Sequence, residues 1–358
     1  MKPKVFCLIT SLNTGGTEKF LVTLLETLKN DYDFSVGYLK EKGYFGAYLE
    51  QKGFKVSKFS QVLLPLRLKQ LKPAIVHTFL YRANIVGRIA AKIAGVPAVI
   101  STQQAIDAWK NPVHTAADSL SSVFCDLIVA NSKATKDILS SREGINPDKI
   151  EVVYNGINFG AFKPQKDRTE VRKALSLELD DTVVACVSRL HEEKGADLLP
   201  LIAEKVKNAV FIVAGEGPAR EGMETRIKSL GLENRFKLLG ERHDISDLLG
   251  ASDIFLLPSR EESFPQGILE AMASSLPVVA SDVGGVSELV EDKRTGFLVE
   301  PLSVSGFAES LNYLIEHKGY SQNMGAQGRE KSAGFTEEAM TANINILYQN
   351  ILKEKSCI

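Results

Sequence analysis

Two glutamates, Glu262 and Glu270, stand eight residues apart in the stretch Leu257-Pro258-Ser259-Arg260-Glu261-Glu262-Ser263-Phe264-Pro265-Gln266-Gly267-Ile268-Leu269-Glu270-Ala271-Met272-Ala273. An apolar run at 254–257 feeds a polar loop, and Pro265 suits the first turn of a following helix. The amides of Gln266, Gly267 and Ile268 are then first-turn donors without intrahelical acceptors, which makes an anion site aimed at a phosphate. Eight helical residues span about 12 Å. Carboxylates at the two ends of such a turn can each accept hydrogen bonds from a pair of hydroxyls, one pair on a sugar ring and the other on a ribose. The same two residues would also serve as solvated helix-end charges.

A second constellation is Ser188-Arg189-Leu190-His191-Glu192-Glu193-Lys194-Gly195, after a strand-like run at 183–187. An arginine fork plus a lysine point charge suits a diphosphate. Taken alone, the segment reads as an ordinary charged surface loop. A third is the glycine turn Asn13-Thr14-Gly15-Gly16-Thr17-Glu18 between the first strand and first helix. Its missing side chains would let a ligand approach the backbone. It is not the glycine fingerprint of a dinucleotide site, which argues against a nicotinamide dehydrogenase. Two more turns, Gly215-Glu216-Gly217 and Gly240-Glu241-Arg242, each follow a strand and either border a nucleotide or simply turn the chain.

The elements that must carry these loops alternate. Short apolar runs at 5–10, 34–39, 54–58, 75–77, 98–101, 127–130 and 150–153 are interleaved with amphipathic stretches such as 19–29, 83–94 and 132–141. Unbroken apolar runs are what parallel strands buried on both faces look like. The pattern restarts after Asn155-Gly156 and the charged stretch 163–173, with runs at 183–187, 210–214, 236–239, 254–257, 278–280 and 296–299. The expectation is an α/β protein of two Rossmann-like, doubly wound parallel-sheet domains facing across a cleft. Their expected bounds are 1–165 together with 336–358, and 166–335.

Composition narrows the classes further. The 358 residues are 44% apolar and 24% charged, which excludes disorder and collagen-like chains. The net charge of −1 hides an asymmetry: residues 1–165 carry 21 Lys+Arg against 13 Asp+Glu, and the remainder carries 22 against 31. A basic first half suits an anionic partner such as a lipid-linked phosphate or an anionic membrane face, and the run 59–72 reads as a basic interfacial helix or an ordinary crossover helix. No basic motif with interleaved aromatics marks a nucleic-acid partner. Cys7, Cys125, Cys186 and Cys357 lack metal-ligand spacing and read as reduced thiols. With neither a signal-like nor a membrane-spanning apolar segment, a cytoplasmic location, free or peripheral on the inner membrane face, is expected.

Taken together, the motifs resemble the retaining group 1 glycosyltransferases of the GT-B fold. The landmarks run in order from Gly15-Gly16-Thr17-Glu18 through Val153-Tyr154-Asn155-Gly156-Ile157, Ser188-Arg189-Leu190 with Lys194-Gly195, Gly215-Glu216-Gly217-Pro218, Ala251-Ser252-Asp253, Glu262 to Glu270, and Thr295-Gly296-Phe297. The resemblance implies that Arg189 and Lys194 hold the donor diphosphate, Glu262 meets the donor sugar, and Glu270 binds the ribose. Gly15 and Gly16 would lie near the β-phosphate and acceptor. It implies transfer from a UDP- or GDP-sugar to a glycan or lipid-linked acceptor, with retained anomeric configuration and with neither metal nor cofactor. It also implies a final helix, about 336–353, that crosses back onto the first domain. Many relatives carry histidine where this chain has Gln104, and a second histidine where it has Phe79. Gln104 and His77 are the acceptor-side candidates, His77 either lining the cleft or packing in the core. Rival readings are a sugar-nucleotide epimerase and a catalytically silent sugar-nucleotide binding module.

Overall fold

The computed structural model describes residues 2–107 and 109–355. The chain divides into two compact units, Met1–Gly156 with Glu337–Ile358, and Ile157–Thr336.

The first unit holds a seven-stranded sheet: β1 (Lys4–Ile9), β2 (Asp33–Tyr38), β3 (Lys55–Lys58), β4 (Ile75–Phe79), β5 (Ala98–Gln103), β6 (Leu127–Ala130) and β7 (Ile150–Val152). The order is β3-β2-β1-β4-β5-β6-β7, and every pairing is parallel. Central strands are buried along their length, whereas edge strand β3 reads Lys-Val-Ser-Lys and is largely exposed. Charges on an edge discourage a further strand from adding. Local signals set the helix ends. Ser132 accepts the amide of Thr135 to open helix Lys133–Ser141, and Gly95 closes helix Tyr81–Ala94 in the left-handed conformation. One face of the sheet is covered by helix Gly16–Leu28 and the last helix, Glu337–Glu354, whose Met340, Ile344, Tyr348 and Ile351 join Val5, Cys7 and Leu21 in one core.

The second unit holds six strands: β8 (Val183–Val187), β9 (Val210–Ala214), β10 (Phe236–Gly240), β11 (Ile254–Leu257), β12 (Val278–Ser281) and β13 (Gly296–Val299). Their order is β10-β9-β8-β11-β12-β13, again parallel. In each sheet the order reverses beside the first strand, between β1 and β4 and between β8 and β11. Open parallel sheets take ligands at the carboxyl ends of the strands flanking that reversal. The loops singled out from sequence follow β1, β8, β9, β10 and β11.

The first boundary falls at Gly156–Ile157, earlier than the expected residue 165. The intervening segment is held by the second unit. Ile157 N donates to Phe335 O at 3.0 Å, and Gln165 N donates to Asp247 Oδ1 at 2.5 Å. Beyond it, the charged stretch forms helix Arg168–Ala174, anchored by the buried Arg172, which donates to Asp253 Oδ2 at 2.7 Å and to the carbonyls of Ala251, Glu178, Leu179 and Asp181. Cys7, Cys125 and Cys186 are buried free thiols; Cys357 lies outside the described residues.

Candidate functional site

In the second unit the motif loops interlock at the carboxyl edge of the sheet. Gly215 N donates to Gly240 O at 2.8 Å, joining the turns after β9 and β10. Gly215 (φ +143°) and Gly217 (φ +159°) lie against the loop after β8: a Cβ on either would stand 1.9 Å from Ser188 O or 2.3 Å from Leu190 O. Only glycine gives both the dihedral and the clearance. Arg260 N then donates to Glu193 O at 2.8 Å, and the Arg260 guanidinium forks onto Asp197 at 2.7 and 2.8 Å. Those hydrogen bonds hold the Asp197 carboxyl below its ordinary range. The loop after β8 is thereby clamped to the loop after β11.

The clamp brings two sequence candidates into contact. Lys194 Nζ lies 2.9 Å from Glu262 Oε2, and Ser259 Oγ donates to Glu262 Oε1 at 2.8 Å. Glu262 is buried with one edge toward solvent, and its carbonyl accepts Gly285 N at 3.1 Å. Arg189 is exposed and pairs with Glu193. Helix Gln266–Ala273 begins with Pro265 as its cap residue. Gly267 allows that helix start to approach β8, since a Cβ there would be 3.0 Å from Val187 O. Ile268 N donates to Pro265 O at 3.2 Å, so this amide is spent in a tight turn and is removed from the expected anion site. Glu270 is half-buried in the second turn of the helix. Arg242 is tied to Asp244 by two hydrogen bonds of 2.8 and 2.6 Å. A hollow of about 510 Å³ lined by Thr182, Asp253, Pro277 and Lys318 sits at the amino ends of the strands, away from all of these residues.

In the first unit, Gly15 and Gly16 are exposed at the turn after β1. A Cβ on Gly15 would meet Glu18 Oε2 at 2.4 Å, whereas one on Gly16 would meet nothing within 4 Å. Gln104 donates from Nε2 to Asn155 Oδ1 at 3.0 Å. His77 corrects the expectation that it could line a ligand site. It is fully buried within β4, its Nδ1 is 2.6 Å from Tyr348 Oη, and its Nε2 is 2.7 Å from Thr102 Oγ1. Burial pushes its pKa down to about 3, so the ring packs as a neutral core group. Sequence reasoning missed Ser259, Arg260 and Asp197. Ser259 could have been found as the hydroxyl three residues before Glu262.

A doubly wound sheet in each unit, with Lys194 and Glu262 paired at the reversal point of the second, defines an α/β protein whose ligand edge is the carboxyl ends of its strands. Comparison with known proteins narrows this. The family model described as Glycosyl transferases group 1 matches residues 167–331, and that of Glycosyltransferase Family 4 matches residues 14–160. An Escherichia coli relative, UDP-Gal:alpha-D-GlcNAc-diphosphoundecaprenol alpha-1,3-galactosyltransferase, is 32% identical over 85% of this chain and 86% of its own length. A D-inositol 3-phosphate glycosyltransferase of Corynebacterium diphtheriae is 29% identical over 76% of this chain and 70% of its own. The crystal structure of Anabaena Alr3699/HepE in complex with UDP is similar with a TM-score of 0.90 at 26% identity, covering 97% of this chain and all of that one. The chain belongs to the group 1, family 4-like glycosyltransferases and has their GT-B fold. That membership supports glycosyl transfer as its activity.

Proposed function

We propose that this enzyme moves a hexosyl or hexosaminyl unit from a UDP-sugar to a lipid-linked diphosphate glycan, with retention at the anomeric carbon. The observation that carries the reading is the Lys194–Glu262 pair at the reversal point of the second sheet, with Arg189 on the same loop as Lys194. The uridine donor and diphosphate-lipid acceptor are supported by the E. coli relative, and the UDP complexes of the Anabaena protein favour uracil over guanine.

In this reading Lys194 and Arg189, the latter exchanging Glu193 for phosphate, stabilise charge as the bond from the sugar C1 to the β-phosphate oxygen breaks. The amides of Gln266 and Gly267 add to that field. Glu262 accepts hydrogen bonds from donor-sugar hydroxyls and Glu270 from the ribose, while Gly15 and Gly16 leave room for phosphate and acceptor. Gly215, Gly217, Gly240 and Arg242 border the nucleotide. The acceptor hydroxyl attacks C1 from the face that the diphosphate leaves. Its proton goes to a phosphate oxygen, and UDP departs. These cations supply the charge, so no bound metal is invoked.

A membrane-anchored acceptor requires the enzyme at a surface. Helices Leu64–Leu71, Tyr81–Ala94 and Pro112–Ser122 leave Leu63, Leu66, Ile93, Val113 and Leu120 exposed, beside exposed Arg67, Lys69, Lys72 and Lys92. The carboxylates between residues 59 and 125 are Asp107 and Asp118, both paired with Lys110. Apolar side chains among unopposed cations suit an anionic lipid face.

The deciding assay supplies a panel of UDP- and GDP-sugars with a short-chain diphosphate-linked N-acetylglucosamine acceptor and reads the product's anomeric coupling by NMR, with and without EDTA. Transfer from a UDP-hexose with an α-linked product, unaffected by chelation, is expected. An inverted product, or transfer only from GDP-sugars, would overturn the reading.

A further inference from the structure

We propose that Trp109, grouped with Tyr81 and His114 in the first unit, is the platform on which the acceptor's sugar ring rests; this deepens, and rests on, the transferase reading. Trp109 is the chain's one tryptophan, and it is 58% exposed. A ring of that size is ordinarily spent on burial, so an exposed one at a ligand-binding edge needs an occupant.

The edge is the relevant one. Trp109 lies in the loop after β5, and Tyr81 opens the helix after β4. Ala83 N, in the first turn of that helix, donates to Thr10 Oγ1 at 3.2 Å, and Thr10 directly follows β1 on the way to the Gly15–Gly16 turn. The rings therefore stand at the reversal point of the first sheet. Leu80, between β4 and Tyr81, is held at φ 69°, ψ 148°, a region that side chains avoid and that marks functional turns.

The platform is built rigidly. Trp109 meets Tyr81 and His114 edge-to-face, each with ring centroids 5.1 Å apart, and Tyr81 meets His114 at 5.6 Å. Tyr81 Oη donates to His114 O at 3.0 Å, and Trp109 Nε1 donates to Asp107 Oδ1 at 3.1 Å. Beneath the loop, the next residue, Lys110, has its side chain fully buried. Its ammonium lies 2.7 Å from Asp118, 2.9 Å from Glu143 and 3.4 Å from Asp107, and Arg88 pairs with Asp118 from the other side. Burial alone would lower the Lys110 pKa, but the three carboxylates outweigh it and raise it, so the cation persists. Side chains held this way lose little freedom when a ligand settles on them. His114 Nδ1 is buried with no hydrogen-bond partner among the described residues, an unspent polar atom that a bound hydroxyl or water would satisfy.

A pyranose fits this chemistry. The C–H bonds on one face of the ring lie against the negative face of an indole, and its hydroxyls reach for polar atoms at the rim. The nucleotide is read on the second unit, which leaves the acceptor for this one.

Because Trp109 is the chain's one tryptophan, its emission reports on the site directly. Three probes are titrated into the whole chain: a short-alkyl diphosphate of N-acetylglucosamine, the same alkyl diphosphate without sugar, and UDP. The sugar-bearing probe is expected to change the emission and the other two to leave it unaltered. Trp109→Ala is expected to raise the acceptor KM about three- to ten-fold, with the donor KM unmoved and Trp109→Phe recovering most of the loss. Emission that is silent to the sugar, or that responds equally to UDP or the bare alkyl diphosphate, overturns the platform, as does an unchanged acceptor KM. The emission titration needs no turnover. A chain that transfers nothing from a UDP-sugar to this probe but still responds to its sugar keeps the platform and removes the proposed donor and acceptor pairing.

Discussion

Lys194 Nζ and Glu262 Oε2 lie 2.9 Å apart although they are 68 positions apart in the chain, and Ser259 Oγ holds the second carboxylate oxygen at 2.8 Å. The carboxylate is thus fixed by two partners. Glu262→Gln keeps the shape and a Ser259 contact but removes the charge. It is expected to lower kcat about 100-fold, as is Lys194→Ala. In the proposed reading the two groups act as one unit, so the double variant should fall little further than either single one. Steady-state rates with saturating UDP-sugar check this, and fully multiplicative losses would show that the pair does not work together.

The glycines of the two units separate fold from ligand. Gly215→Ala places a Cβ 1.9 Å from Ser188 O at φ +143°, so it is expected to destabilise the second unit by about 2–4 kcal/mol and to remove activity with it. Gly16→Ala meets nothing within 4 Å. It should melt like the parent and still lose activity, because in the proposed site the added methyl occupies space given to phosphate and acceptor. Thermal unfolding and transfer assays on both variants check the contrast; full activity in Gly16→Ala would show that the turn is not approached closely.

Much of the architecture was legible because parallel strands buried on both faces are unbroken apolar runs. The runs at 127–130, 183–187, 210–214, 254–257 and 296–299 coincide with β6, β8, β9, β11 and β13. The acidic and basic residues of the loops after β8 and β11 were legible as motifs, but not as a contact. Nothing local to Lys194 says that its partner is Glu262 rather than a neighbouring glutamate. Long-range pairing is also why His77 stayed ambiguous: Tyr348, which its Nδ1 contacts, is 271 positions away. The buried set around Lys110 was invisible for the same reason, since only the fold brings Asp118, Glu143 and Arg88 together. The domain boundary was misplaced because Ile157 and Gln165 are secured by Phe335 and Asp247, distant in sequence.

His77 gives the first unit a pH dependence with a definite sign. Its pKa is about 3 when folded and 6.5 at its ordinary value, because burial opposes the charged form. Below about pH 6.5 the unfolded chain binds a proton that the folded chain refuses. Stability is therefore full above that pH and declines toward pH 3 by up to about 1.4 kcal/mol per pH unit from this residue. His77→Gln, able to hydrogen-bond Thr102 or Tyr348 without titrating, should flatten that part of the curve. Denaturant midpoints of both proteins between pH 4 and pH 7 check it, and parallel curves would count against a neutral buried imidazole.

The exposed apolar and basic helices of the first unit should bind anionic vesicles. Leu66 is 56% exposed on the helix that also carries Arg67 and Lys69, and Ile93 is 59% exposed next to Lys92. Leucine and isoleucine entering the headgroup boundary contribute burial, and each nearby lysine adds about 1 kcal/mol at an anionic face. Lys69→Glu with Lys72→Glu turns two attractions into repulsions, so the vesicle-bound fraction is expected to fall at least about ten-fold. Leu66→Ser should weaken binding as well, and its loss should persist at high salt because apolar burial is not screened. Leu66, Lys69 and Lys72 belong to the first unit and to none of the loops assigned to the donor, so turnover of a soluble short-chain acceptor should be unchanged. Flotation with phosphatidylglycerol vesicles against pure phosphatidylcholine vesicles checks each point. Equal flotation on both, or binding indifferent to the lysine reversals, would assign this face to something other than an anionic membrane.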